Sequence, residues 1–229
     1  MFKKILKWIR RLFLLFIVSS VLMVIVYRFF PVYLTPLMFI RLGEQVFNGE
    51  SPKMSKRWVS IKDISPSMPK AVMAGEDQNF MNHHGFDIKA MKRAYQYNQK
   101  GKKIRGGSTI SQQTAKNVFL WQRRSYIRKG FEAYFTVLIE LFWSKERIME
   151  VYLNVVEMGD GIYGVEMASQ KYFHKSAKKL TPNEAASIAA ILPNPRKYSP
   201  LKHSAYFSRH KNFILKYMNY MPSVVRTKN

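Results

Sequence analysis

The chain has 229 residues, 47% hydrophobic and 14% aromatic, with 38 Lys and Arg against 14 Asp and Glu. That length holds a membrane anchor and one sizeable domain, and the apolar content excludes a disordered chain. A formal charge of +24 calls for an anionic partner, and the absence of cysteine excludes disulfides, thiol catalysis and Cys-based zinc sites.

Five cations (Lys3, Lys4, Lys7, Arg10 and Arg11) precede the uncharged run Leu12–Tyr27. With Trp8, Ile9, Phe29 and Phe30 extending it, the run reaches the length of a membrane span, and Arg28 can snorkel to the interface. No small-residue cleavage site follows, because the next residues are Arg28-Phe29-Phe30-Pro31. The sequence therefore predicts a cytoplasmic basic segment (1–11), an uncleaved anchor (12–30), a membrane-proximal connector (31–54) and one extracytoplasmic domain (55–229). The positive-inside rule sets that orientation. A basic domain outside the cytoplasm disfavours nucleic acid and favours the membrane and lipid-linked phosphates as partners.

Within the domain the signals are helical. Asp87 caps a helix through Tyr97 that ends before Gly101, and Thr109 with Gln112 forms a capping box opening the next. A long helical region covers Arg128–Val156 with a break near Ser144, and Phe131, Phe135, Leu138 and Phe142 share one face. Thr181-Pro182-Asn183-Glu184 opens a further helix, which Pro193 and Pro195 end. No alternating strand run stands out, and the basic tail past Arg196 carries little signal. The predicted class is mainly α.

Four stretches carry chemistry. Glu76 and Asp77 follow the apolar run Ala71–Gly75, which makes Glu76 a candidate general base in a field of positive charge. Gly106-Gly107-Ser108-Thr109 runs into a polar helix bearing Ser111, Gln112, Gln113 and Lys116, a face suited to sugar and phosphate oxygens. Arg123, Arg124, Arg128 and Lys129 cluster with Glu132, which suits either a pyrophosphate clamp or a surface salt bridge. Lys145–Asn154 reads as structural, with Tyr152 and Asn154 bracing a helix-to-loop transition before Gly159 and Gly161. The histidines form no metal-ligand motif: His83 and His84 are adjacent rather than a helical turn apart, and His83 is expected to shape the Gly85 turn.

In this order the four stretches resemble the motifs of the peptidoglycan glycosyltransferase family, the membrane-bound enzymes that polymerise lipid II. Glu76, Asp77, Phe80, His83, Gly85 and Asp87 match the first, and Gly106–Asn117 the second. Arg128, Lys129 and Glu132 match the third, and Lys145–Asn154 the fourth, with Met149 where Leu is usual. Tyr172-Phe173 and Glu184-Ala185-Ala186 match later segments, so the likeness spans about residues 55–200. No Lys-Thr-Gly accompanies the Ser-x-x-Lys matches at Ser67, Ser176 and Ser199, so a transpeptidase domain is not expected. The resemblance is to the single-domain biosynthetic members of the Gram-negative inner membrane.

The resemblance implies a lysozyme-like, mainly α fold with a small membrane-facing lobe, and glycosyl transfer with inversion. It implies Glu76 as the base that deprotonates the acceptor sugar hydroxyl, with Glu132 as a second catalytic carboxylate. Lys116, Arg124, Arg128 and Lys129 would hold diphosphate, with Ser108, Thr109 and Gln113 positioning sugar and phosphate. By motif position Asp77, Phe80, Gln112 and Asn117 join the substrate-binding set. No cofactor is required, though a divalent ion (Mg2+ or Mn2+) near Glu132 is a candidate. The implied partners are lipid II, the lipid-linked glycan and the membrane, with cell-wall or division proteins as further candidates. Two alternatives remain at this point. A membrane-anchored lytic glycosidase would use Glu76 and Glu132 for hydrolysis, and a non-enzymatic basic protein would bind acidic lipid without needing Glu76.

Overall fold

The computed structural model describes residues 1–99, 101, 106–123, 125–202 and 204–225. Helix α1 (Phe2–Phe29) has 28 residues and is long and apolar enough to cross a membrane. It starts well before the expected span, so its first turns carry the five cations. It does not stand clear of the rest of the chain. Phe16 lies 5.6 Å from Phe131 and 5.7 Å from Tyr134 between ring centroids, and the Ser20 and Tyr134 hydroxyls meet at 2.7 Å. Trp143 Nε1 donates to Val24 O at 2.8 Å, and Arg147 donates to Tyr27 O at 2.8 Å and to Phe30 O. The last carbonyls of a helix lack internal donors, and here Arg147 supplies them from the folded domain.

The stretch expected to be a connector contains helix α2 (Pro36–Phe47), started by Pro36 at its first position. Its Leu37 and Met38 are buried with Tyr163, so α2 packs on the domain. A small sheet stands next to it, with β1 (Ser55–Lys56) parallel to β3 (Ile162–Tyr163) and β3 antiparallel to β2 (Glu157–Gly159). The sequence showed no strands because two or three residues are too few to alternate. Gly161 makes the β2–β3 turn at φ +67°, a left-handed conformation that a side chain resists.

The helical body follows the periodicities closely. Helix α3 (Ser67–Glu76) buries Ala71, Val72, Met73 and Ala74 and packs on α9 (Pro182–Ile191) and α10 (Ala205–Met218). Helix α9 has the expected Thr181–Glu184 capping box and buries every residue from Ala185 to Ile191, small side chains that let its neighbours approach. Helix α4 (Ile88–Gln99) is capped by Asp87, whose Oδ1 accepts from Ala90 N at 2.8 Å. Helix α5 (Ile110–Phe119) opens with the Thr109–Gln112 box and packs between α6 (Tyr126–Phe142) and α7 (Lys145–Val155). Ser144 caps α7 at the expected break. Helix α8 (Val165–Phe173) follows the sheet, and α10 forms from the tail that carried no clear signal. Caps of this kind contribute about 1 kcal/mol each, so the burial of α3, α9 and α7 dominates.

Candidate active site

Glu76 is the last residue of α3. The buried run before it drives the helix into the core, and the carboxylate is left where the chain emerges beside α5. Gln113 Nε2 donates to Glu76 Oε2 at 2.8 Å, and Tyr152 OH donates to Gln113 Oε1 at 3.3 Å. Tyr152 is fully buried, which holds its phenol well above the usual value and keeps the hydroxyl a donor. A donor on Oε1 fixes the amide so that its NH2 faces Glu76. Burial pushes the Glu76 carboxyl above the usual carboxylate range, while Gln113, His210 and Lys116 pull it down. The negative end of the α3 dipole acts in the same direction as burial. A carboxylate raised in this way has the basicity that proton abstraction near neutral pH requires.

The loop after Glu76 fastens α3 to the start of α5. Asp77 Oδ2 accepts from His83 Nε2 at 2.9 Å and from Ile110 N at 3.0 Å. Gly85 N donates to His83 Nδ1 at 3.1 Å, so the ring proton sits on Nε2, and Thr109 Oγ1 donates to Gly85 O at 2.6 Å. His83 thus shapes the Gly85 turn, as expected, and also orients Asp77. Gly85 has φ +89°, and an added Cβ would stand 2.8 Å from Thr136 Cγ2.

Two residues expected at the substrate stand behind it. Phe80 has no exposed surface and lies in the core with Lys145 Nζ 4.6 Å from its ring centroid. Gln112 is buried, and its side chain is spent on the cap of α5. Lys145 donates to His83 O and to Glu140 Oε1, which also accepts from Ser111. Glu140 was invisible in the sequence because its partners, Ser111 and Lys145, lie on two other helices.

A cleft of about 600 Å³ opens over Glu76, bordered by Asp77, Arg93, Gly106, Ser108, Thr109 and Phe213. Phe213 comes from α10. On the other side of Gln113 a narrower cleft of about 270 Å³ is lined by Gln113, Lys116, Asn117, Gln122 and Asn194. Gln113 and Lys116, one turn apart on α5, both face the narrower cleft, and the Gln113 amide also reaches Glu76 on the edge of the larger one. Burial lowers the Lys116 pKa, opposed first by Glu132, deepened by Arg128 and Lys129, and opposed again by Glu76. Lys116 therefore feels both carboxylates.

Helix α6 delivers the remaining cations. Ser125 caps it through Arg128 N, and one turn on Arg128 reaches Glu132 Oε2 at 2.7 Å while Lys129 pairs with Glu132 Oε1. Arg124 lies outside the described residues. Arg128 Nε, although buried, makes no hydrogen bond within the protein. Among the described residues no three His, Asp or Glu side chains converge, and both oxygens of Glu132 already carry cations. A divalent ion prefers several oxygen donors, and this donor set does not fit one.

A half-buried, raised carboxylate facing a cation cluster across one helix defines a site for group transfer from an anionic leaving group. A family model described as Transglycosylase matches residues 43–219. A protein of Bacteroides thetaiotaomicron named biosynthetic peptidoglycan transglycosylase is 54% identical over 220 residues, 96% of this chain and 89% of its own. Proteins of the same name come from Bdellovibrio bacteriovorus (54% over 209 residues; 91% and 84%) and Shewanella oneidensis (46% over 227 residues; 99% and 96%). The chain belongs to the transglycosylase family, and its mainly α, lysozyme-like class is the one the motifs implied.

Proposed function

We infer that the chain is a peptidoglycan glycosyltransferase that polymerises lipid II into β-1,4-linked glycan strands for the cell wall, releasing undecaprenyl diphosphate. The observation that carries this is the half-buried Glu76 carboxylate held by Gln113, with Lys116 one turn further along the same helix as Gln113. The acceptor's 4-hydroxyl oxygen attacks C1 of the donor sugar as its proton passes to Glu76. The C1–O bond to diphosphate breaks with inversion, and the electron pair leaves on diphosphate. Lys116, Arg128 and Lys129 face the charge that develops there, and Arg124 belongs with them by motif position. Glu132 organises these cations. Ser108 and Asn117 border the two clefts and would orient sugar and phosphate, while Asp77 and Thr109, whose polar atoms are taken by His83, Ile110, Gly85 and Gln112, would hold the loop that carries Ser108. The names of the relatives support the substrate class.

Helix α1 anchors the enzyme in the cytoplasmic (inner) membrane, with its basic end in the cytoplasm and the domain outside. The paired state of Glu132 weighs against the lytic alternative, because a second glycosidase carboxylate must be free to act.

The test is polymerisation of labelled lipid II by the full chain in detergent, with and without a chelator. A ladder that lysozyme digests, with equal yield in chelator, is expected. Cleavage of preformed glycan without polymer would replace transfer by hydrolysis, and loss of polymer in chelator would restore the divalent ion. In the same assay Tyr152→Phe is expected to lower kcat/KM about tenfold, the loss of one orienting hydrogen bond. An unchanged rate would mean that Gln113 is held by other means.

A further inference from the structure

Helix α10 packs against both α3 and α9 and carries a run of rings along its length, Tyr206, His210, Phe213 and Tyr217. Its middle is turned to the end of α3. A Cβ added at Gly75 would stand 3.1 Å from Ile214 Cδ1, and Phe213 borders the cleft over Glu76. His210 lies one turn before Phe213 and Ile214, so helical spacing puts it on the side of α10 that meets the carboxylate. Its ring is stacked on Phe213 at 6.5 Å between centroids and lies 5.8 Å from Tyr206. Burial first, then Tyr198 and Glu76, hold the Tyr206 phenol above its usual value, so Glu76 is felt along this face.

His210 Nδ1 donates to Ala190 O of α9 at 3.3 Å. A carbonyl can only accept, so Nδ1 keeps its proton and the ring gains or loses charge at Nε2. Helix α9 has one acidic residue, Glu184, and Lys175 holds it at 2.8 Å at the far end of that helix. Around Glu76 stand Lys116 of α5, Asp77 beside it, Tyr152 of α7 and Tyr206 of α10, with Lys89 and Arg93 of α4 on the same cleft. Burial raises the Glu76 carboxyl. Gln113 opposes that first, then the charges of His210 and Lys116, while Asp77 adds to the rise.

The structure assigns His210 as a positioning residue for the base: its imidazolium, tied to Ala190 O and stacked on Phe213, keeps Glu76 ionised and ready for the acceptor's proton. This rests on the polymerase reading above, with Glu76 as the base. Histidine is ordinarily charged below about pH 6.5, so its help is present where a raised carboxylate would otherwise stay protonated, and it fades as pH rises. Lys116 gives the same help from α5, but it also faces diphosphate, whose charge offsets its own. His210 acts from α10, apart from the cations of α5 and α6.

The experiment measures kcat/KM for lipid II polymerisation by the full chain in detergent as a function of pH. His210→Gln and His210→Phe, both uncharged, are each expected to move the acid limb to higher pH. The rate on that limb should fall about tenfold relative to the plateau, the scale of one nearby charge. His210→Arg carries a permanent charge and is expected to keep the limb at or below its wild-type position. His210→Phe preserves the ring stack, so it decides the matter if His210→Gln fails to fold. An unmoved limb in the folded uncharged variants, or a loss equal at every pH, would overturn the assignment and leave His210 as packing for α10. A wild type that makes no polymer would instead overturn the polymerase reading.

Discussion

Glu76→Gln is expected to lower the rate of lipid II polymerisation by roughly 10²- to 10⁴-fold, the usual contribution of a positioned general base. The substitution keeps the shape of the side chain and a partner for Gln113, so the fold should survive and thermal unfolding should change little. Burial raises the wild-type carboxyl, and the base works only when ionised. The rate should therefore rise with pH through a value above the ordinary carboxylate range. That acid limb should vanish in the variant. Substantial polymer from Glu76→Gln with the limb intact would move the base elsewhere.

Lys116→Ala is expected to cost about 10²- to 10³-fold, the scale seen when one preorganised charge stabiliser is removed. It carries a second signature. Lys116 is among the groups that hold Glu76 down, so its removal should shift the acid limb of the residual activity to higher pH. A lysine whose charge did not reach Glu76 would not move that limb. In wild type, burial brings the loss of the Lys116 charge below the ordinary lysine range, so the alkaline fall in rate should begin early. Near-normal turnover in Lys116→Ala would remove this residue from the diphosphate site, and an unmoved acid limb would uncouple it from Glu76.

Much of this arrangement was legible in the chain. Glu76, Gln113, Lys116 and the Arg128–Glu132 turn lie on two helices and a helix end, and local spacing places such residues on shared faces. Capping boxes at Thr109 and Thr181 marked starts correctly because a cap is a local interaction. What escaped depends on contacts distant in sequence. Tyr152 reads as a brace, and its tie to Gln113 crosses 39 residues. Asn154 does brace, through both the N–H and the carbonyl of Val59. Phe80 sits in a motif beside reactive groups, yet its role is to fill the core beneath them. The three short strands and α10 have patterns too brief or too basic to announce themselves.

The clasp on α1 is made largely to backbone carbonyls, at Val24, Tyr27 and Phe30. Such contacts are blind to side chains, so substitutions at the exposed positions of the anchor's second half, Val18, Leu22 and Ile25, would leave the clasp closed, whereas Phe16, Ser20 and Val24 take part in it with their side chains. They are not blind to helical phase. One residue inserted between Ser20 and Tyr27 would rotate the end of the helix by about 100° and carry the carbonyls away from Trp143 and Arg147. A loose tether would fix only how far the catalytic site can wander from the bilayer. This helix fixes the angle at which the domain is held against it.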